Sequence, residues 1–150
     1  MMDLLYQKDS YLNEFPATVI AVDPTQNAVA LDRSAFYPGG GGQPNDTGVL
    51  VVDRHNIAVT KARRDGEQLW HVLDSDATLP ECGQQVIGRI DWQRRYALMR
   101  THTALHILCG VVWRDFGAQV TGGNMDPLEG RMDFEFATLR AQLVLSLIHI

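Results

Sequence analysis

The sequence predicts an α+β fold: a small N-terminal β-barrel over residues 1–91, followed by the start of an α+β unit built on a long helix over residues 92–150. Three observations carry this prediction. Short β-rich runs separated by turn residues fill the first ninety positions, the pattern of a small, closed or nearly closed barrel. From Trp92 to Phe116 there is no proline, and apolar residues recur at helical spacing. An alternating pattern then returns at Arg131-Met132-Asp133-Phe134-Glu135-Phe136.

Element by element, Ala17–Val22 is β-rich and ends at the turn signal Asp23-Pro24. Ala28–Asp32 follows after Gln26-Asn27, and the two runs predict a hairpin. Val49–Val52 and Ile57–Thr60 flank Asp53-Arg54-His55-Asn56 as a second hairpin. Leu69–Leu73 and Gln85–Asp91 alternate as strands. In the helical stretch, Leu98, Thr101, Leu105, Leu108 and Val112 recur at three and four. Asp91 is placed to cap its N-terminus and Gly117 its C-terminus. Thr138 is a candidate cap for a further helix beginning at Leu139. There is no repeat and no low-complexity linker.

Hydrophobic content of 45% and charged content of 21% are those of a soluble globular chain with a core of useful size. No run reaches the ~18 apolar residues of a membrane span, and the N-terminus lacks the pattern of a signal peptide. A cytoplasmic protein with no membrane partner is expected. Two cysteines, Cys82 and Cys109, make no disulfide framework and suit a reducing compartment. A net charge of −5 argues against general coating of nucleic acid, DNA included, but leaves room for a local basic patch.

The sharpest chemical feature is Arg100-Thr101-His102-Thr103-Ala104-Leu105-His106. His102 and His106 stand four apart, so a helix projects both rings from one face, one turn apart. Two imidazoles held this way can grip one zinc ion. The same pattern also arises in solvated or packed histidines. Thr103 stands where a metallopeptidase helix would carry its glutamate, which disfavours peptidase chemistry. Zinc needs a third or fourth ligand. Cys109, three residues past His106, is a candidate, although such a cysteine is more often a small core residue.

The second feature is Phe36-Tyr37-Pro38-Gly39-Gly40-Gly41-Gly42-Gln43-Pro44-Asn45-Asp46-Thr47-Gly48. It is neither a Walker loop nor a dinucleotide fingerprint. Four glycines permit positive φ and close approach of backbone to a ligand or another segment. Read alone, a flexible hairpin connection is the stronger explanation of the run, and a polar group such as Gln43 pressed against substrate is the functional alternative. A third feature is the arginine cluster Arg89, Arg94, Arg95 and Arg100 about the start of the helix. It reads either as a solvated face or as contacts for phosphate, with Arg94, Arg95 and Arg100 the candidates.

Phe36 through Gly48, with Arg100 through His106, resemble the paired signatures of AlaX proteins and of the alanyl-tRNA synthetase editing domain. Gly122-Gly123-Asn124 and Arg131–Phe134 are similar to the stretch that follows that family's histidine helix. The resemblance covers roughly residues 6–143. It implies a barrel lobe, residues 1–91, joined to an aminoacyl-tRNA editing domain, incomplete over 92–150. It also implies hydrolysis of the ester linking serine or glycine to tRNA for alanine, and a zinc cofactor held by the histidine pair and a later Cys-x-x-x-His. Carried over, His102 and His106 become zinc ligands, while Gln43, Gly40, Gly41, Gly42 and Thr103 become substrate-binding residues.

No Cys-x-x-x-His follows His106, and the ending Leu145-Ser146-Leu147-Ile148-His149-Ile150 departs from the family pattern. It resembles translated sequencing-adapter read-through. A truncated chain, inactive as written, is expected. Two alternatives stay open: a non-catalytic tRNA- or protein-binding module, and a fragment of alanyl-tRNA synthetase. The start at Met1, shortly before the barrel, favours a free-standing protein. The oligomeric state is left open.

Overall fold

A computed structural model describes residues 2–136. The expected cap at Thr138, the helix from Leu139, and the ending that contains His149 lie outside the described residues. Ten strands and one long helix follow the order β1 (Asp3–Leu4), β2 (Glu14–Asp23), β3 (Ala28–Leu31), β4 (Arg33–Ser34), β5 (Gly48–Val52), β6 (His55–Asp65), β7 (Gln68–Leu73), β8 (Gln85–Ile90), α1 (Trp92–Phe116), β9 (Gln119–Asp126) and β10 (Glu129–Glu135). Six of them close an antiparallel barrel in the order β2-β3-β7-β6-β5-β8, with β8 returning to β2. The α+β class and the N-terminal barrel are as the sequence predicts.

Alternation places the barrel core. Phe15, Ala17 and Val19 point inward from β2, Leu69 and Leu73 from β7, and Val86 and Ile90 from β8. On β6, Val59 and Ala62 are both buried although three residues apart. The register shifts between Val59 and Lys61. One extra residue in the strand changes which side chains face in, so the bulge brings both to the interior. Gly88 lies opposite Phe15, whose ring sits 2.4 Å from where a Cβ would stand. The missing side chain makes the seat for that ring.

The second hairpin is tighter than predicted. Its turn is Asp53-Arg54 alone, both at positive φ, and β6 begins at His55 and runs to Asp65. This two-residue turn matches the twist of the paired strands better than a four-residue loop. Helix α1 has the predicted limits. Asp91 accepts the Arg94 N–H at 3.0 Å, and Gly117 closes the helix at φ +64°. Strand β9 was not predicted, because Thr121-Gly122-Gly123-Asn124 has turn composition rather than strand composition. It pairs with β10, and this hairpin packs on α1. Thr101 ties the two together: its buried hydroxyl accepts the Leu128 N–H at 2.9 Å.

One polar group is sealed inside the barrel. His71 Nδ1 lies 3.2 Å from the Val29 carbonyl, and Nε2 lies 2.8 Å from Ser34 Oγ. The carbonyl only accepts, so Nδ1 carries the proton and Nε2 accepts from the serine hydroxyl. Ser34 Oγ in turn accepts the Phe36 N–H at 3.1 Å, at the head of the glycine-rich segment. Burial pushes the His71 pKa down to about 4, against a smaller opposing effect of the Val29 hydrogen bond.

The unfolded chain, with His71 near 6.5, therefore binds the extra proton first as pH falls. The stabilisation from keeping this ring neutral is complete above about pH 6.5 and is lost towards about pH 4. Its slope is about 1.4 kcal/mol per pH unit, summing to about 3 kcal/mol. Urea midpoints measured across this window should fall more steeply for the native protein than for His71→Asn. Identical pH profiles would refute the assignment.

Candidate functional site

The glycine-rich segment follows β4, which pairs with β1 outside the barrel, and folds as a narrow hairpin across the side of α1. Gly40 and Gln43 exchange backbone hydrogen bonds of 2.9 and 3.1 Å around a two-residue turn, Gly41-Gly42, at φ +60° and +84°. Such a turn needs positive φ at both central positions, which glycine adopts without strain. The tip docks on β9, where the Met125 N–H donates to the Gly42 carbonyl at 3.0 Å. A Cβ on Gly42 would lie 2.5 Å from the Gly123 carbonyl oxygen. Here the glycines allow close approach to another chain segment, one of the two uses their composition permits.

The base of this hairpin is held from below. Asp46, 1% exposed, accepts the Tyr37 N–H at 2.6 Å and pairs with Arg95, 4% exposed. The Arg95 guanidinium also donates to the carbonyls of Ser10 at 2.9 Å and Ala35 at 2.6 Å. Arg95 is thus engaged on every side and has no face left for phosphate. This corrects its reading as a tRNA contact. Arg94 is half-buried and reaches the Asn45 carbonyl at 3.4 Å, while Arg100 stands exposed.

Between hairpin, helix and β9 lies a cavity of about 300 Å³. Leu105, Val120, Met125 and Met132 line its apolar part; Gly41, Gly42, Gln43, His102, His106 and Asn124 border it. His102 and His106 stack at 4.8 Å between centroids, 7° from parallel, with their Nε2 atoms 2.9 Å apart. Gln43 Oε1 lies 2.6 Å from His102 Nδ1. The two motifs, about sixty residues apart in sequence, therefore meet at one hydrogen bond.

Not every predicted residue joins them. Gly40 pairs with Gln43 outside the cavity lining. Thr103 faces a different groove with Tyr96, Met99 and Arg100, its hydroxyl donating to the Met99 carbonyl at 3.0 Å. One residue along a helix is a rotation of about 100°, enough to take Thr103 off the histidine face. The structure therefore sets Thr103 apart from His102, His106 and Gln43. Cys109 borders the cavity. Among the described residues, however, no group of three His, Cys, Asp or Glu side chains is arranged to hold a metal ion. As placed, Cys109 does not complete a site, and the donors present are the two Nε2 atoms. Asp46 and Asn124 were missed by the sequence reading.

The barrel runs from β8 directly into the histidine-bearing helix, and the glycine-rich hairpin between β4 and β5 reaches across to that helix. The chain belongs to the family described as tRNA synthetases class II (A), whose model matches residues 10–94, more than half of the sequence. It is similar to the alanyl-tRNA editing protein AlaX-M of Saccharolobus solfataricus, with 45% identity over 136 residues, covering 89% of this chain and 56% of that protein. AlaX-M of Methanosarcina barkeri is 41% identical over 138 residues, again 89% and 56%. The alanine–tRNA ligase of Ignicoccus hospitalis is 42% identical over 132 residues, 87% of this chain and 14% of the ligase. The chain thus spans a little over half the length of these AlaX-M relatives. The resemblance carried by the two motifs is borne out. Among the described residues no helix is long and apolar enough to cross a membrane.

Proposed function

We propose that this chain supplies the barrel and the first half of the metal site of a trans-editing hydrolase, which deacylates seryl- or glycyl-tRNA for alanine in the cytoplasm. The observation that carries the reading is the convergence of His102 Nε2 and His106 Nε2, 2.9 Å apart, at the border of an apolar cavity under a glycine hairpin. Similarity to proteins named alanyl-tRNA editing proteins supports the substrate class.

The donor set fits zinc, a borderline-soft ion that takes imidazole nitrogen readily, as far as two ligands go. When bound, zinc supplies Lewis-acid polarisation at the ester. The chain's own residues do the rest. The cavity, at the small end of the range for ligand pockets, has room for a small aminoacyl group. The turn's own hydrogen bonds do not use the amides of Gly41 and Gly42, which border the cavity as candidate donors to a developing oxyanion. Of the three candidate arginines, Arg100, and to a lesser extent Arg94, have side chains accessible to the tRNA backbone.

The test is a deacylation assay, in the presence of zinc, of a full-length protein that carries this chain, with seryl-, glycyl- and alanyl-tRNA for alanine. Faster loss of serine or glycine than of alanine is the expected outcome. If tRNA is retained on the protein but no ester is cleaved above background, the binding-module reading replaces the enzyme. That second reading draws on the finding that the described residues provide two donors rather than three.

A further inference from the structure

We propose that Gln43 is a positioning residue that fixes the tautomer of His102, so that α1 presents one preset and one switchable imidazole to a divalent metal. The proposal rests on the reading of His102 and His106 as metal-binding residues.

Gln43 Oε1 can only accept a hydrogen bond. At 2.6 Å from His102 Nδ1, it requires that nitrogen to carry the proton, which leaves His102 Nε2 as a lone pair. Nε2 of His106 lies 2.9 Å from that lone pair. Two lone pairs cannot face each other at this distance, so His106 Nε2 carries a proton and donates it to His102. The two rings, chemically identical and stacked one helical turn apart, are thus in opposite tautomers.

Free imidazole side chains favour the proton on Nε2. His106 has this ordinary form, and His102 is held in the disfavoured one. For a metal that takes both Nε2 atoms, His102 is already in the ligand form, whereas His106 would have to change tautomer, its Nε2 proton passing to water while Nδ1 takes one up. Hydrogen bonds from the far nitrogen of a ligating histidine commonly fix its tautomer and orientation in this way.

Gln43 can hold this position because its backbone is not free to move. It closes the two-residue glycine turn with Gly40, and the adjoining Gly42 carbonyl is fixed by the Met125 N–H. A side chain at Gly42 would collide with the Gly123 carbonyl, so the hairpin tip lies flush against β9. The glycine run and the glutamine then serve one purpose. The first lets the hairpin approach closely, and the second uses that approach to set a ring.

The test reads the tautomers directly. In metal-free protein labelled with ¹⁵N-histidine, at alkaline pH, long-range ¹H–¹⁵N correlation should show His102 protonated on Nδ1 and His106 on Nε2. Gln43→Leu should return His102 to the Nε2 form and weaken zinc binding about 10- to 100-fold. Gln43→Glu, whose carboxylate accepts the same hydrogen bond, should restore the Nδ1 form and the affinity. Native protein with His102 in the Nε2 form, or an unchanged His102 in Gln43→Leu, would overturn the proposal. Expected tautomers in a protein that binds no zinc would instead overturn the metal reading, and with it the role of Gln43 toward a metal.

Discussion

Alanine at both His102 and His106, in a full-length protein that carries this chain, is expected to abolish zinc binding at the cavity and to lower deacylation of mischarged tRNA on the order of 10³-fold or more. Polarisation by a bound metal is worth several kcal/mol in the transition state, and each 1.36 kcal/mol is tenfold in rate. The two imidazoles are the donors that converge there among the described residues, and both are exposed on α1. Alanine is the better helix former at exposed positions, so the double variant should unfold at the same temperature as the native protein or slightly above. That stability separates a chemical loss from a folding loss. Zinc content per chain and the deacylation rate would be measured together. Equal zinc in the native protein and the variant would remove both histidines from the site.

How much of this was legible in the sequence depends on how local the cause is. The limits of α1 were, since a cap acts within a turn: Asp91 and Gly117 are chemically suited to their ends and stand where the pattern puts them. The barrel strands were too, because alternation is written residue by residue. The pairing of His102 with His106 needed only helix geometry. Its contact with Gln43 did not follow from spacing, since it depends on where a hairpin tip lands after β9 has formed. Strand β9 itself was hidden by Gly122 and Gly123, which give it the composition of a turn. They allow the close approach of Gly42, where a Cβ would lie 2.5 Å from the Gly123 carbonyl oxygen. Arg95 was misread because an arginine near two others has the appearance of a surface charge. A signal was nevertheless present. Arg95 stands three residues before Leu98, on the same apolar stripe as Thr101 and Leu105, and a charge on a buried stripe needs a partner. The sequence did not say which acid that was, since Asp46 lies 49 residues away.

Breaking the Arg95–Asp46 pair is expected to destabilise the protein by about 3–5 kcal/mol for either single substitution, Asp46→Leu or Arg95→Met. Both side chains are almost fully buried, and removing one leaves the other charged in a site that water cannot reach. A typical domain has about 5–15 kcal/mol in total, so either variant sits near the edge of folding. The pair's Coulomb attraction alone does not set this cost. Replacing both groups with apolar side chains, Asp46→Leu with Arg95→Met, should cost clearly less than the two singles summed, because no orphaned charge remains. Urea unfolding of the four proteins gives the coupling directly, and single variants within about 1 kcal/mol of native would refute the role. The consequence reaches the site. Asp46 also holds the Tyr37 N–H, and the Asp46 N–H donates to the Tyr37 carbonyl at 3.0 Å, closing the base of the hairpin that carries Gln43. The double variant, folded but without this anchor, should lose deacylation through Gln43's grip on His102. Reversal of Arg94 and Arg95 together would therefore weaken tRNA handling by unfolding the hairpin, whatever Arg94 touches. Arg100→Glu alone, on an exposed side chain, is the variant whose salt dependence reports phosphate contact.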